Sequence, residues 1–197
     1  MPLKTAALVL AAGGSRRMGR SKQLADWGGV PLLQHVLGNV QAWPVDAVFL
    51  VLGHDADAVL DEVDLRGVTV VINPEWEEGM AASLRVGLDA MMQDASIERA
   101  VIALGDQPRV PTDVVAALLE EHDSSRAMAV VPKYRYMRGN PVVISRTLWP
   151  RIMSLEGDAG ARKLLQAHPA WVHEVWFEQL APRDIDTPAD LEELRPR

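Results

Sequence analysis

An apolar segment that leads straight into a glycine-rich, cationic loop is the feature that most constrains this sequence. Residues 8–12 have the composition of a buried strand, and Gly13 and Gly14 follow directly. Adjacent glycines can turn successive amide N–H groups inward, and such a concave backbone binds anions. Four cations lie close behind the glycines: Arg16, Arg17, Arg20 and Lys22. The loop is therefore predicted to bind phosphate groups, most simply those of a nucleoside triphosphate.

The alternative is a surface loop whose glycines only turn the chain and whose arginines keep it solvated. A binding loop is favoured because neighbouring cations repel one another unless an anion lies among them. The chain as a whole is acidic, with a formal net charge of -7. Nucleic acid is not expected as a partner, since its backbone requires a broad basic face and these cations are clustered locally.

The size and composition favour a single soluble domain. A chain of 197 residues with 48% hydrophobic content can bury a sizeable core. We expect one domain over residues 1–197, with a nucleotide-binding half at 1–132 and an acceptor-side half at 133–197. No apolar run approaches the length of a membrane span, and the N-terminal pattern differs from a signal peptide. These observations predict a cytoplasmic protein without a membrane partner.

The residue types present limit the chemistry. The chain has no cysteine, which excludes disulfides, thiolate nucleophiles and Cys-based metal sites. Its five histidines are scattered, without the spacing that places two metal ligands on one helix face. Any bound metal ion is therefore expected to have oxygen ligands.

Apolar runs alternate with amphipathic stretches along the chain. The runs lack clean polar alternation, as expected for strands covered by helices on both faces. This βαβ pattern predicts an α/β fold, a three-layer αβα sandwich with a mostly parallel, Rossmann-like sheet of about seven strands, one of which is antiparallel. The predicted strands are residues 5–11, 47–52, 68–72, 100–104, 127–131, 141–144 and 171–177.

Two common phosphate-binding loops do not fit the sequence. The dinucleotide fingerprint Gly-x-Gly-x-x-Gly does not match, because Gly13 and Gly14 are adjacent and no third glycine follows at the required step. A P-loop is closer, with four residues between Gly14 and Gly19, but it lacks the lysine and should run straight into a helix. Here residues 26–31 interrupt the chain. A nicotinamide-dependent oxidoreductase is therefore a minor alternative.

Residues 10–19 (LAAGGSRRMG), followed by Lys22-Gln23-Leu24, resemble the loop of nucleotidyltransferases with a GT-A-like, nucleotide-diphospho-sugar transferase-like fold. More narrowly, the chain resembles the molybdenum cofactor cytidylyltransferase branch of the MobA-like NTP transferases. The resemblance covers nearly the whole chain, and its ordered set of segments is more specific than any one of them. The further segments are residues 29–33, 79–84, 105–108, 139–142, 157–162 and 184–191.

The resemblance implies a role for each loop residue. Backbone donors around the triphosphate are implied at Ala12, Gly13, Gly14 and Ser15. Arg17 and Lys22 are implied as the catalytic cations that neutralise it. Residues 79–83 lie near the base and ribose in similar enzymes, so Met80 and Ser83 are implied to bind the nucleotide. The small residues of this segment resemble the cytidylyl type more than the guanylyl type, which favours CTP over GTP.

A magnesium site is expected at Asp106. This residue ends an apolar strand, and a triphosphate requires Mg²⁺, a hard ion that prefers carboxylates and water. A turn-capping role is the simpler alternative for such an aspartate. Asp186 is implied as a second ligand, but Asp186 or Thr187 before Pro188 also makes a good helix N-cap. The two roles of Asp186 stay open at this point.

The acceptor side is assigned by resemblance to Gly139, Asn140, Asp158 and Arg162. Asn140 stands where the family more usually has a histidine, and an amide does not titrate near neutrality. Asp158 could instead cap the following helix and pair with Arg162. Arg162 is otherwise suited to an acceptor phosphate.

The expected activity is Mg²⁺-dependent transfer of a nucleoside monophosphate from CTP or GTP to a phosphorylated acceptor. A molybdopterin-type cofactor is the expected acceptor, with pyrophosphate as the second product. The alternatives are the same chemistry on a sugar phosphate or another small phosphorylated metabolite, and a non-catalytic maturation factor that binds a molybdoenzyme. No dedicated nucleophile is needed, because alignment and preorganised charge supply most of the rate.

Overall fold

The computed structural model of the chain describes residues 4–15, 17–157 and 160–196. Two of the predicted residues, the loop cation Arg16 and the acceptor-side Asp158, lie outside the described residues. The strands are β1 (Lys4–Ala11), β2 (Ala47–Leu52), β3 (Val68–Ile72), β4 (Ile97–Leu104), β5 (Ala129–Tyr134), β6 (Met137–Arg138), β7 (Val142–Ser145) and β8 (Val172–Phe177). The α-helices are α1 (Leu32–Gln41), α2 (Ala56–Glu62), α3 (Met80–Met92), α4 (Thr112–Ser125), α5 (Trp149–Met153), α6 (Ala161–Ala167) and α7 (Pro188–Leu194).

The strands form one mostly parallel sheet in the order β3-β2-β1-β4-β7-β5, with β8 beside β5. β1 pairs in parallel with β2 and β4, and β5 pairs in parallel with β8. β7 is antiparallel to both of its neighbours, β4 and β5. The two-residue strand β6 forms an antiparallel hairpin with the end of β5, which brings the sheet to eight strands. The predicted fold class is confirmed, with β6 as the added element.

Helices cover both faces of the sheet, which explains the uninterrupted apolar strands. In β1, Ala7 and Val9 face a core cluster that includes the apolar sides of α1 and α4. Leu8 and Leu10 face the opposite cluster, which includes residues of α3, α5 and α6. Because alternate residues of a strand point to opposite faces and both faces are dry, all of these positions must be apolar.

A third hydrophobic cluster, which we call the loop cluster, ties distant segments together. It consists of Met18, Ala25, Trp27, Leu32, Ile185 and Leu191. The first members follow β1, whereas Ile185 and Leu191 come from the segment after β8. The Ile185 amide also donates to the Asp106 carbonyl at 2.9 Å. The cluster therefore holds the cationic loop against the C-terminal segment at the end of β4.

In the part of the chain that the structure describes, no helix combines the length and the apolar character needed to cross a membrane.

Gly87 and Gly38 provide a matched test of core packing in two helices. A Cβ on Gly87 of α3 would lie 2.6 Å from Leu8 Cδ1 and 2.9 Å from Val51 Cγ2, both in buried side chains. Gly87→Ala should overpack this contact and destabilise the fold by about 1–3 kcal/mol. A Cβ on Gly38 of α1 meets nothing within 4 Å, so Gly38→Ala should stabilise by about 0.5–1 kcal/mol through helix propensity. Urea unfolding measures both, and equal effects would contradict this packing.

Candidate active site

A cavity of about 370 Å³ opens where β1 and β4 end. Carboxyl ends of parallel strands are the usual position of ligands in such sheets. The lining includes most of the residues predicted for nucleotide and metal binding: Ala12, Gly13, Gly14, Lys22, Met80, Ser83 and Asp106. Residues that lie up to 94 positions apart in the sequence are thus brought to one wall. We call this space the nucleotide cavity.

The cavity wall packs closely against two glycines. A Cβ on Gly105, at the end of β4, would lie 2.7 Å from Ala11 Cβ. A Cβ on Gly14 would lie 3.0 Å from Trp76 Cζ3 and 3.3 Å from His54 Cδ2. Trp76 itself lines the cavity and meets the His54 ring edge-on, with centroids 4.8 Å apart. The second glycine of the loop therefore packs against an aromatic support.

Cationic and acidic side chains meet at the edge of this cavity. Lys22 Nζ lies 2.5 Å from Asp106 Oδ2 and 3.3 Å from Asp186 Oδ1. The Arg17 guanidinium is a second cation at Asp186, with Arg17 Nη2 lying 2.8 Å from Asp186 Oδ2. Burial lowers the pKa of Lys22, but the charges and hydrogen bonds of Asp106 and then Asp186 outweigh it, so the pKa is raised. Lys22 is therefore a protonated ammonium at neutral pH.

Asp106 and Asp186 are the residues that the sequence predicts as ligands of a divalent cation. Asp106 Oδ1 is buried and has no hydrogen-bond partner within the described residues, so one carboxylate oxygen is left for a ligand. No group of three or more His, Asp or Glu side chains that could hold a metal ion is found in the described ranges. Among the described residues both carboxylates contact the Lys22 ammonium, through Asp106 Oδ2 and Asp186 Oδ1, and Asp106 Oδ1 is the oxygen left to accept a hard cation such as Mg²⁺.

The N-cap of α7 is Thr187, not Asp186. Thr187 and Asp190 form a reciprocal capping box, in which the Asp190 amide donates to Thr187 Oγ1 at 3.2 Å. The carboxylate of Asp186 instead contacts Arg17 and Lys22. Of the two roles left open by the sequence, the structure gives helix capping to Thr187 and leaves the Asp186 carboxylate at the cavity edge.

A second cavity of about 250 Å³ adjoins the first, since Leu10, Met80 and Leu104 line both. Its walls include three residues predicted for the acceptor side, Gly139, Asn140 and Arg162. We call this space the acceptor-side cavity. Its remaining lining is largely apolar, with polar groups from Arg138, Gln166 and Asp184.

The loop that carries Gly139 and Asn140 rests on Tyr134. The Tyr134 hydroxyl donates to the Asn140 carbonyl at 3.0 Å. A Cβ on Gly139 would lie 2.9 Å from the Tyr134 ring, so only glycine allows this approach. Burial raises the pKa of the Tyr134 phenol well above its usual value, which keeps it a hydrogen-bond donor.

Sequence reasoning assigned no role to several residues at the site. Asp184 lines the acceptor-side cavity and accepts from Gln107 Nε2 at 2.6 Å. Burial raises the pKa of Asp184, and repulsion from Asp106 adds to this effect. The sequence feature that could indicate Asp184 is its spacing of two residues from Asp186, in a segment without regular secondary structure. Gln23 belongs to the loop motif, where the sequence assigns it no separate role, and it lies in the wall of the nucleotide cavity.

A loop of glycines and cations that faces paired carboxylates at the end of a mostly parallel sheet defines an α/β domain of the nucleotidyltransferase class. Residues 7–172 match the model of the MobA-like NTP transferase domain, and the chain belongs to this family. The family predicted from the sequence is confirmed.

The similarity to several known proteins extends over nearly the whole chain. Nicotine blue oxidoreductase of Paenarthrobacter nicotinovorans is 32% identical over 189 residues, which cover 91% of this chain and 91% of that protein. The crystal structure of Rv0371c from Mycobacterium tuberculosis H37Rv has a TM-score of 0.90 and 31% identity, covering 99% of this chain and 98% of that chain. The Rv0371C complex with manganese has a TM-score of 0.84 and 29% identity, covering 98% of each chain.

A shorter similarity links the chain to a larger protein. The bifunctional protein GlmU of Staphylococcus saprophyticus is 29% identical over 127 residues, which cover 64% of this chain and 27% of GlmU. The match therefore concerns about a quarter of that protein.

The adjacent loop glycines should respond differently to a methyl group. Gly14→Ala must displace Trp76 or His54 and should destabilise the ligand-free protein by about 1 kcal/mol. Gly13→Ala meets nothing within 4 Å and should change stability by less than about 0.5 kcal/mol. Thermal unfolding of both variants measures the difference. An equal loss in the two would show that Trp76 does not support Gly14.

Proposed function

We propose that the chain transfers a nucleoside monophosphate from an NTP, with CTP favoured over GTP, to a small phosphorylated acceptor of the molybdopterin type, releasing pyrophosphate. The observation that carries this proposal is the meeting of Lys22 with Asp106 and Asp186 beside the glycine loop. Phosphate-binding cations and metal-binding carboxylates are the two requirements of nucleotidyl transfer. Membership of the MobA-like NTP transferase family supports the same reaction class.

The proposed reaction forms a bond between an acceptor phosphate oxygen and the α-phosphorus of the NTP. The bond from the α-phosphorus to the oxygen bridging the α- and β-phosphates breaks, and pyrophosphate leaves with that electron pair. The loop amides bind the phosphates, while Lys22 and Arg17 stabilise the charge that develops on pyrophosphate. Asp106 and Asp186 would hold Mg²⁺, which neutralises phosphate oxygens when bound. The manganese complex of the similar Rv0371C supports a divalent cation.

The preference for CTP rests on the segment at the start of α3. Met80 and Ser83 line the nucleotide cavity, and Ser83 is nearly fully buried. Ser83 Oγ accepts from Asn73 Nδ2 at 3.1 Å, so its own hydroxyl proton is left to donate toward a base. The small residues of this segment resemble those of cytidylyltransferases more than those of guanylyltransferases, which supports the preference for CTP.

The acceptor is inferred from the polar groups of the acceptor-side cavity. Arg162 supplies a guanidinium group suited to phosphate, and Arg138, whose Nε donates to Glu174 Oε1 at 2.6 Å, supplies a second. The apolar part of the lining includes Leu84 and Val142. A sugar phosphate is the alternative acceptor, and a non-catalytic maturation factor for a molybdoenzyme is the alternative role. Pyrophosphate release over a panel of phosphorylated pterins and sugars separates the acceptors. Nucleotide binding without turnover on any acceptor would favour the maturation factor.

An oxidoreductase is the second candidate function. The observation that favours it is the similarity to nicotine blue oxidoreductase, which extends over 91% of both chains. The absence of a dinucleotide fingerprint after β1 argues against it. Two measurements test this candidate. The fluorescence of a reduced nicotinamide dinucleotide reports its binding on titration, and its oxidation in the presence of an aromatic acceptor reports turnover. Oxidation without any pyrophosphate release from NTPs would replace the transferase proposal.

Asp106→Ala should keep the fold and abolish metal-dependent pyrophosphate release from CTP. Loss of the carboxylate removes one of two proposed metal ligands, so the rate should fall by about 100-fold or more. The measurement is a coupled pyrophosphate assay at saturating Mg²⁺. Asp61→Ala on the exposed side of α2 is the matched control and should retain full activity. Unchanged turnover in Asp106→Ala would remove this residue from the mechanism.

Lys22→Ala should change the affinities for metal and triphosphate in opposite directions. Without the ammonium, Asp106 and Asp186 are no longer compensated, so Mn²⁺ alone should bind several-fold more tightly. CTP in the presence of Mg²⁺ should bind about tenfold more weakly, because a charge-assisted contact is lost. Calorimetry measures both. An unaltered CTP affinity would refute the assigned contact, and weaker Mn²⁺ binding would refute the carboxylate site.

A further inference from the structure

Gln23 is a buried amide at the centre of the glycine loop. It is 2% exposed, although it lines the nucleotide cavity. Its Nε2 donates to the Ala11 carbonyl at 2.8 Å and to the Gly13 carbonyl at 3.1 Å. Its Oε1 accepts from Ser15 Oγ at 3.1 Å and from Ser21 Oγ at 3.2 Å. These four contacts use the full hydrogen-bonding capacity of a glutamine side chain.

The same network reaches the catalytic lysine through Ser15. Ser15 has a φ of 49°, a left-handed conformation that is uncommon outside glycine. Its hydroxyl oxygen accepts from the Lys22 amide at 3.1 Å while its proton is given to Gln23. The strained turn and the backbone of Lys22 are therefore joined to one buried amide.

The two carbonyls held by Gln23 determine where the neighbouring N–H groups point. In a trans peptide unit the C=O and N–H vectors are nearly antiparallel. Because the Gly13 carbonyl is turned toward Gln23, the Gly14 N–H of the same peptide unit is directed away from it. The same holds for the Ala11 carbonyl and the Ala12 N–H. The Ala12 and Gly14 N–H groups are thus both directed away from Gln23, so these two donors can contribute to one anion-binding backbone.

We propose that Gln23 is the positioning residue of the phosphate-binding loop. Gln23 orients the Ala12 and Gly14 amides toward a polyphosphate, and it does not itself touch the reacting atoms. This inference rests on the proposed function, because that function places the polyphosphate of an NTP against the loop. The glycines alone leave the backbone of the loop free to adopt many conformations, and Gln23 restricts it to one before the ligand binds.

The chemistry of the amide explains why neither of two similar side chains can replace it. Glutamate has the same length but offers only acceptors when ionised, so its oxygen would face the carbonyls of Ala11 and Gly13. Those peptide units would be expected to rotate away. Methionine has a similar length and no strong hydrogen-bonding group, so it removes all four contacts without adding charge.

The test compares Gln23→Glu and Gln23→Met with wild type and with Gln41→Glu in the full chain. Gln41 is exposed at the end of α1, where its amide donates to the Arg66 carbonyl at 2.8 Å, so it is a matched charge control. Inorganic tripolyphosphate with Mg²⁺ is the probe, titrated by calorimetry. Both Gln23 variants should bind it about tenfold or more weakly, and Gln41→Glu should bind as wild type does.

A second readout separates positioning from general stability. Tripolyphosphate should slow hydrogen exchange of the Gly14 amide in wild type and not in Gln23→Met, at a temperature where both are fully folded. Should Gln23→Glu fail to fold, Gln23→Met carries the comparison. Wild-type affinity in the folded Gln23 variants, or an affinity loss equal to their unfolded fraction, overturns the inference and leaves the proposed function standing. Failure of wild type to bind tripolyphosphate overturns both.

Discussion

The geometry of the site depends on one ion-pair network, in which the ammonium of Lys22 lies between the carboxylates of Asp106 and Asp186. These residues follow β1, β4 and β8, so three distant parts of the chain converge on a single positive charge. Without that charge, the half-buried carboxylates would repel each other at the cavity edge. The ligand-free site is thus held together by the groups that the proposed reaction would use on phosphates and metal.

Apolar packing and a buried amide keep this network in place. The loop cluster, through Trp27 and Ile185, fixes the segment after β1 against the segment after β8. Gln23 fixes the loop backbone from the inside. The side chains of Lys22 and Asp106 are each only 16% exposed, so solvent screens their attraction less than it screens a surface ion pair. The surrounding packing therefore preserves the ion-pair network on which the site geometry depends.

The lining of the nucleotide cavity indicates a ligand class more specifically than the lining of the acceptor-side cavity does. The nucleotide cavity is lined by the glycine loop and by the Asp106 carboxylate. Both features agree with the phosphate chemistry of the MobA-like NTP transferase family, to which the chain belongs. The acceptor-side cavity is an apolar space with a few polar groups, and such a lining is compatible with many ring-containing molecules. A relative that is similar over 91% of both chains is named an oxidoreductase, and a fold does not by itself identify the molecule that binds in such a cavity.

The sequence by itself determined the succession of strands along the chain and the fold class, because buried strands leave local, periodic signals. It indicated the family through the resemblance of an ordered set of motifs to known proteins. It also placed Asp106 at a strand end. Tertiary structure alone decided that Thr187 caps α7 while Asp186 contacts Arg17, since a helix cap and an ion pair have the same local sequence signal. It likewise decided the role of Gln23, because an amide's partners depend on which backbone groups the fold brings within about 3 Å of it.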